Sequence, residues 1–436
     1  METLRFDTTK PQGAFKLLNA TNGGPWHKRH VYDQVHSNFE DYKAARIPYS
    51  RNHDSGVMDV YGGPFSHDIT RIFRNFDADP TDPASYDFAC TDESIFVTLD
   101  AGTETYFRLG QTIEHHIKKY DTLPPKDFSK WAVICEHIIR HYNEGWANGY
   151  HLNIKYWEIW NEPDLDPDDA DNKRTWGGTQ AQFFDLYEIT AIHLKSCFPD
   201  LMIGGPALSG KLEWGEKFLC EMQKRNVPMD FFSWHIYTND AREVGMTANK
   251  VKDMLNRYGY GAAESHLNEW NYIKNWTDKF VYSVETITGA KGAAFILACM
   301  CVAQQAPIDL LMYYDTRPSI FNGAFSLYTC RPLKGYYPLY WYGKFYDCTA
   351  EIKAENELPD LFSLCGVDEN GRTLTALSYY TDDDDAQPRT VALDFGRPVR
   401  CEAFLTDETH TNVSLGEMTD LTFTLTPNSC LFLQEL

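Results

Sequence analysis

Residues 157–164 read Trp-Glu-Ile-Trp-Asn-Glu-Pro-Asp, and this stretch decides the fold prediction. The run before Asn161 is mostly apolar and aromatic, as expected for a strand of a buried sheet. Glu162 follows it directly and stands between the amide Asn161 and the ring of Pro163. A strand that ends in this way presents one acid at its tip with a hydrogen-bonding amide beside it. That arrangement suits proton donation to a substrate oxygen, a chemistry that also needs a second carboxylate.

Short apolar runs alternate with longer amphipathic segments from residue 14 to residue 345. The candidate strands are Ala14–Leu18, Ile47–Ser50, Thr105–Leu109, Lys155–Trp160, Met202–Gly204, Phe231–Ile236, Ser265–Trp270 and Leu310–Tyr314. Segments between them, such as Lys130–Tyr142 and Gln180–Cys197, carry apolar residues at helical spacing. Eight strands that alternate with helices predict a parallel (β/α)8 barrel, the TIM barrel, over residues 14–345.

The pattern changes in residues 346–436, where the apolar runs are short and alternating. Asn370-Gly371 lies between two of these runs as a hairpin signal. This pattern predicts an antiparallel β-sandwich domain, and a strand from residues 1–13 is expected to join it. The acidic run Asp382–Asp385 lacks the ligand spacing of a calcium loop, so we interpret it as a solvated loop tip.

Composition argues against several classes of partner. The net charge of −22, from 62 acidic and 40 basic residues, opposes binding to nucleic acid or to an anionic membrane. The N-terminus lacks the features of a secretory signal, and the most apolar helix candidate, Ala293–Ala303, is too short to span a bilayer. Eleven scattered cysteines indicate reduced thiols in a cytoplasmic protein. No cofactor or metal site is predicted, and a homo-oligomer stays open.

Polar residues at the C-terminal ends of the strands are the candidates for the active site of a barrel. Glu162 ends candidate strand four, and Glu269 ends candidate strand seven. We therefore expect these carboxylates to face each other across the barrel mouth, where the second negative charge raises the pKa of Glu162. Two other acids fit less well. Glu158 ends no strand, and Glu264 precedes its strand at the opposite end of the barrel.

Several motifs together resemble glycoside hydrolase family 39, which includes β-xylosidases and α-L-iduronidases. They are Lys126–Trp131, Trp157–Leu165, Gly204–Ala207, Asn226–Asp230 and Ser233–Tyr237. The resemblance implies a retaining barrel glycosidase with Glu162 as acid/base and Glu269 as nucleophile. It favours a β-xylosidase that acts from the end of short oligosaccharides, with an α-L-arabinofuranoside, a β-galactoside or a uronide as open alternatives. An inactive sugar-binding barrel is the rival class, and the presence of both carboxylates argues against it.

The resemblance also implies residues that contact the substrate or the nucleophile. Asn161 is expected to bond to the sugar 2-hydroxyl, Arg51 to support the nucleophile and His53 to contact the glycone. For Arg51 the alternative is an ion pair in the core. A tyrosine after strand six commonly bonds to the nucleophile in this clan, which indicates Tyr237 with His235 near it. A metal-dependent hydrolase is rejected because only the two histidines named here end strands.

Three further side chains have two interpretations each. Trp234 and Trp270 are either sugar platforms or buried core residues, and Asn22 either contacts the glycone or belongs to a plain turn. The segment Tyr313–Ser319 departs from the family's β-xylosidases, which usually carry a tryptophan-containing segment there. Its Asp315 and Arg317 either bind a polar substituent or pair with each other, so the segment leaves the sugar undecided.

Overall fold

A computed structural model describes residues 2–26, 29–31, 34–54, 65–317 and 319–436. Met1 and Pro318, which belong to segments interpreted above, lie outside the described residues. Within the described part of the chain no single helix is long and apolar enough to cross a membrane. The helices Phe280–Ile287 and Ala290–Gln305 reach that length and composition only as a pair, across a bend of 79°.

Eight parallel strands close into a barrel, which confirms the predicted fold. In chain order they are Leu17–Asn22, Tyr49–Arg51, Glu104–Leu109, Tyr156–Ile159, Met202–Leu208, Phe231–Thr238, Glu264–Tyr272 and Leu310–Tyr313. The last strand pairs with the first, Leu310 opposite Leu17, so the sheet has no open edge. The first strand begins at Leu17, three residues later than predicted, and continues to Asn22. Its second half is not predicted by the sequence because buried polar residues interrupt the apolar pattern there. One of them, Asn19, donates to the Ala45 carbonyl at 2.9 Å.

Helices surround the barrel. The α-helices of the described residues are Phe39–Ala44, Ile69–Ile72, Ala89–Asp100, Phe128–Glu144, Gln180–Cys197, Leu212–Lys224, Arg242–Arg257, Phe280–Ile287, Ala290–Gln305 and Tyr336–Lys344, and 3-10 turns cover Pro83–Ser85 and Phe345–Asp347. The helix Gln180–Cys197 begins with a capping box, in which Thr179 and Gln182 satisfy each other's backbone N–H groups. This helix follows the fourth strand, so its fixed start limits the path of the loop that carries Glu162.

Two β-sheets pack beside the barrel. The antiparallel six-stranded sheet has the order Ala350–Glu351, Leu361–Val367, Thr373–Tyr379, Ser429–Glu435, Cys401–Thr406 and Val413–Met418, and the three-stranded sheet has the order Glu2–Arg5, Arg389–Asp394 and Thr422–Leu425. A small hairpin pairs Arg29–Val31 with Gln34–His36. Buried apolar residues of both large sheets, including Leu4, Leu393 and Leu431, form one cluster, as in a sandwich. The N-terminal strand runs parallel to Arg389–Asp394, in contrast to the otherwise antiparallel pairing.

The sandwich is fixed to the barrel by apolar and polar contacts. Trp341 stacks on Phe432 with ring centroids 5.2 Å apart. Asp382 accepts the hydroxyl of Tyr272 at 2.7 Å and lies 2.9 Å from the ammonium of Lys291. The expectation of a solvated tip is therefore wrong for Asp382, because its carboxylate anchors the sandwich to the end of the seventh barrel strand and to the helix Ala290–Gln305. The following three aspartates are exposed, as expected.

Candidate active site

Glu162 is held by an irregular turn after the fourth strand. Its φ of 45° lies in the left-handed region that non-glycine residues rarely adopt. Its N–H donates to the Ala207 carbonyl at 2.9 Å, and its own carbonyl accepts the Thr175 hydroxyl at 2.6 Å. These two bonds fix a conformation that an isolated turn would not favour, as is common at functional sites. The carboxylate is 9% exposed.

Glu269 reaches the same space through a bulge in the seventh strand. The pairing of this strand with the sixth shifts register between Leu267 and Glu269. Because of the shift, the consecutive residues Asn268 and Glu269 both point into the barrel, which regular alternation would not allow. One oxygen from each of Glu162 and Glu269 and one ring nitrogen of His235 all lie within 4.8 Å of one another. The two carboxylates therefore face each other, as strands four and seven predict.

His235 lies between the two carboxylates. Its Nδ1 is 2.8 Å from Oε1 of Glu162 and 3.6 Å from Oε2 of Glu269. Tyr237, two residues further on, donates its hydroxyl to Oε1 of Glu269 at 2.6 Å. Both residues come from the sixth strand and point inward, so this strand supplies one contact to each acid. His53 lies at the edge of the same group, with Nε2 3.9 Å from Oε2 of Glu269.

Arg51 donates hydrogen bonds to three side chains in and beside the site. Its Nη1 donates to Glu269 Oε2 at 3.3 Å, its Nη2 to Asn161 Oδ1 at 2.6 Å and its Nε to Glu158 Oε2 at 2.7 Å. The bond to Asn161 fixes that amide with its NH2 group 3.4 Å from His53 Nε2. Glu158 is thus an internal partner of Arg51, a role that the sequence did not indicate.

Asn22 does not reach the cleft, so its interpretation as a glycone contact is wrong. It is fully buried behind Arg51, where Oδ1 accepts from Nη1 at 3.1 Å. Its Nδ2 donates to the Asn268 carbonyl at 2.8 Å. Both polar ends of the amide are therefore used inside the barrel, and Asn22 orients Arg51.

Burial raises the pKa of Glu162 to about 8, and the negative charge of Asp164 adds to this effect. The repulsion expected from Glu269 comes instead from Asp164, two residues along the chain, and from Asp54. Asp164 is kept in place by the N–H and hydroxyl of Ser209, at 2.8 and 2.7 Å. Burial also raises the pKa of Glu269, to about 7, while His235 and Arg51 act in the opposite direction. Because Arg51 and Tyr237 donate hydrogen bonds to Glu269, its ionised form is stabilised, which favours the proton on Glu162.

Trp234 and Trp270 are core residues, and their interpretation as sugar platforms is wrong. They are 0% and 1% exposed. Strand alternation turns Trp234 outward because His235 points inward, and its Nε1 donates to Ser265 at 3.1 Å. The bulge beside Glu269 turns Trp270 outward, 6.1 Å between ring centroids from Phe295 of the surrounding helix.

An exposed ring that the sequence analysis missed is Trp276, in the loop after the seventh strand. It is 55% exposed and meets the ring of Tyr237 edge to face, with centroids 5.1 Å apart. Phe280 stacks against it at 5.8 Å. The sequence feature that could have indicated Trp276 is its position just after the strand that carries Glu269.

The segment after the eighth strand forms a polar wall. Arg317 Nη2 lies 3.2 Å from Asp315 Oδ2, so these two residues pair with each other, the second of the predicted alternatives. Asp54 accepts the Tyr314 hydroxyl at 3.3 Å and lies 3.2 Å from His53 Nε2. Through Tyr314 and Asp54, the segment after the eighth strand is therefore linked to His53.

Comparisons with known proteins give one family and a consistent fold. Residues 34–289 match the model of glycosyl hydrolases family 39. A β-xylosidase of Geobacillus stearothermophilus is 30% identical over 200 residues, which are 43% of this chain and only 37% of that protein. A glucosidase structure from Croceicoccus marinus matches with a TM-score of 0.78 and 21% identity, over 100% of this chain and 99% of that one. The monomeric β-xylosidase structure from Caulobacter crescentus CB15 matches over the same shares, with a TM-score of 0.71 and 15% identity.

Proposed function

The chain belongs to glycosyl hydrolase family 39, and on that premise we propose that it hydrolyses β-xylosides from the end of short oligosaccharides with retention of configuration. The observation that carries this proposal is the facing pair Glu162 and Glu269, whose oxygens approach within 4.8 Å. Retaining enzymes place their carboxyl groups about 5–5.5 Å apart, whereas inverting enzymes leave about 6.5–9.5 Å for a water molecule.

In the first step Glu162 gives its proton to the glycosidic oxygen while an oxygen of Glu269 attacks the anomeric carbon. The bond from that carbon to the leaving group breaks, and a covalent glycosyl ester of Glu269 forms. In the second step the Glu162 carboxylate takes a proton from water as the water oxygen attacks the same carbon. The ester bond to Glu269 breaks, and both carboxyl groups return to their starting states.

The contacts around the two carboxyl groups support Glu162 as the proton donor and Glu269 as the nucleophile. The pKa of Glu162 is raised to about 8, and among the described residues its carboxyl group has one hydrogen-bond partner, Nδ1 of His235, so it suits proton donation at neutral pH. Glu269 receives bonds from Tyr237 and Arg51, which stabilise its ionised form and point its oxygens. The NH2 group of Asn161, fixed by Arg51, is available to the sugar 2-hydroxyl, a bond that strengthens in the transition state.

The choice of a β-xyloside rests on the relative that is named as a β-xylosidase. Trp276, exposed beside Tyr237, offers an aromatic face to a sugar at the cleft mouth. The eleven cysteines are all free thiols, which supports a reducing compartment such as the cytoplasm. An α-L-arabinofuranoside, a β-galactoside or a uronide would keep the same mechanism, and a panel of nitrophenyl glycosides separates these sugars from a β-xyloside.

Two variants test the roles of the carboxylates. Glu162→Ala should lower turnover of xylobiose by roughly 10²–10⁴-fold, because its leaving group needs a proton. The same variant should still be glycosylated by dinitrophenyl β-xyloside, whose leaving group needs none. Glu269→Ala should fail with both substrates, and Glu264→Ala, an acid at the other barrel end, should behave like wild type. Wild-type turnover by Glu269→Ala would refute the mechanism, and sugar binding without turnover by the wild type would indicate an inactive barrel.

A further inference from the structure

Three side chains of types that commonly bind metals form a group on the outside of the barrel, and they share no residue with the group of Glu162, His235 and Glu269. Glu136 lies on the helix after the third strand, and His193 and Cys197 lie on the helix after the fourth. One carboxylate oxygen, one ring nitrogen and the sulfur lie within 4.8 Å of one another. The spacing of His193 and Cys197, four residues apart, places them on one helix face.

The contacts converge on one atom, Nε2 of His193. This nitrogen is 2.6 Å from Oε2 of Glu136 and 3.9 Å from Sγ of Cys197. In a thiol–histidine–carboxylate catalytic triad the thiol and the carboxylate would meet opposite ring nitrogens. Here both face the same nitrogen, so the three atoms surround a common point. A cation shared by all three side chains would lie between these atoms.

The dimensions suit a zinc-sized ion. With bonds of about 2.1 Å to nitrogen and oxygen and 2.3 Å to sulfur, tetrahedral ligands are separated by about 3.4 Å (N to O) and 3.6 Å (N to S). To bind the ion, Oε2 of Glu136 must move away from Nε2 of His193 by less than about 1 Å. The sulfur of Cys197 stays close to its present position. A carboxylate and a thiolate together balance the charge of a divalent ion.

The contacts around Glu136 and His193 favour an ordered binding site over an accidental contact. The second oxygen of Glu136 accepts Nε of Arg140 at 2.7 Å, an outer partner of the kind that orients metal-binding carboxylates. Arg140 is itself fixed by Glu144 and by the ring of Phe198, 5.1 Å away. His193 is 30% exposed beside a surface groove, which leaves a route for the ion and for a water as fourth ligand.

We propose that Glu136, His193 and Cys197 bind a thiophilic divalent cation, of which Zn²⁺ is the model, and that the ion links the two helices. Binding of a ligand to the folded chain alone raises its stability. The inference does not depend on the reaction at Glu162 and Glu269, because no residue is shared between the two sites.

Co²⁺ and Zn²⁺ test the proposal on chelator-treated full-length protein. Co²⁺ bound to a thiolate gives a near-ultraviolet sulfur-to-cobalt absorption band, which the sulfur-free group of Glu162, His235 and Glu269 cannot give. We expect one equivalent of Co²⁺ to produce this band in the wild type. Zn²⁺ should displace the Co²⁺ and raise the melting temperature.

The matched variants are Cys197→Ser and Cys220→Ser, since Cys220 is also partly exposed but lies outside the cluster. Cys197→Ser should lose the band and bind Zn²⁺ more than about 10-fold less tightly, since losing a ligand costs more than losing its outer partner. Cys220→Ser should keep both properties. Absence of the band in the wild type, or its retention in Cys197→Ser, would show that the three residues form only a hydrogen-bonded group.

Discussion

Arg51 and Glu158 form an ion pair closed off from solvent inside the barrel, with Nε 2.7 Å from Oε2 and neither side chain exposed. Asn268 donates a further bond to the other oxygen of Glu158 at 2.5 Å. The same guanidinium reaches Glu269 at 3.3 Å. Glu158 therefore balances part of the positive charge that would otherwise act on Glu269, and we expect it to influence the proposed reaction through Arg51.

The first prediction concerns Glu158→Gln. Without its partner, Arg51 acts more strongly on Glu269 and lowers the pKa of that carboxyl, so the acid limb of kcat/KM should move to lower pH. Breaking a buried ion pair should also reduce the free energy of unfolding by about 3 kcal/mol. The control is Glu264→Gln, since Glu264 bonds to Tyr156 and has no bond to Arg51. A shift of the acid limb in the control and none in Glu158→Gln would contradict this role.

The pH dependence of the wild type follows from the two carboxyl groups. The proposed mechanism needs ionised Glu269 and protonated Glu162, whose pKa values are raised to about 7 and about 8. kcat/KM for xylobiose should therefore rise as pH increases through about 7 and fall as it passes about 8. For dinitrophenyl β-xyloside, whose leaving group needs no proton, kcat/KM should keep the acid limb and show no fall near pH 8, in the wild type as well as in Glu162→Gln. A fall near pH 8 with this substrate would assign the alkaline limb to another group.

The same raised pKa predicts that Glu162 lowers stability at neutral pH. Between the usual value of 4.5 and about 8, the folded chain keeps a proton on Glu162 that the unfolded chain has lost. The contribution of Glu162 to the free energy of unfolding therefore falls as pH rises through this window. Glu162→Gln should gain roughly 2 kcal/mol near pH 7 and little near pH 4. Urea unfolding at several pH values measures this, and an equal gain at every pH would rule out a titration effect.

Trp276 should affect binding more than chemistry. Trp276→Ala removes the exposed aromatic face beside Tyr237 and should raise KM for xylobiose roughly 3- to 10-fold, equivalent to about 1 kcal/mol, with kcat nearly unchanged. Trp276→Phe keeps an aromatic face and should restore most of the binding. If kcat falls instead while KM stays constant, the ring serves to position Tyr237 and Glu269.

The barrel and its two carboxylates can be predicted from sequence because each acid lies at or near the C-terminal end of a candidate strand. For Glu162 the motif is local, and strand order alone places it opposite Glu269. The outward orientation of the Trp270 side chain cannot be predicted in this way. Regular alternation from His266 would turn Trp270 inward and Glu269 outward, and the bulge reverses both. A register shift depends on neighbouring strands, which a single sequence does not display.

Buried polar partners are the other class that sequence analysis misses. Glu158 and Asn22 look like ordinary strand residues, and their roles depend on Arg51, which comes from a different strand. Asp382 appears solvated because it lies in an acidic run, yet two lysines and Tyr272 of the barrel meet it. In each case the partner is distant along the chain, so local patterns carry no signal of the contact.

The most direct test of the account is to trap the covalent intermediate. A 2-fluoro-xyloside with a good leaving group slows release of the glycosyl ester, and peptide mass spectrometry then locates the sugar. We expect one xylosyl adduct, located on Glu269, and a first-released product of retained configuration. An adduct on a different carboxylate, or an inverted product with no adduct, would contradict it.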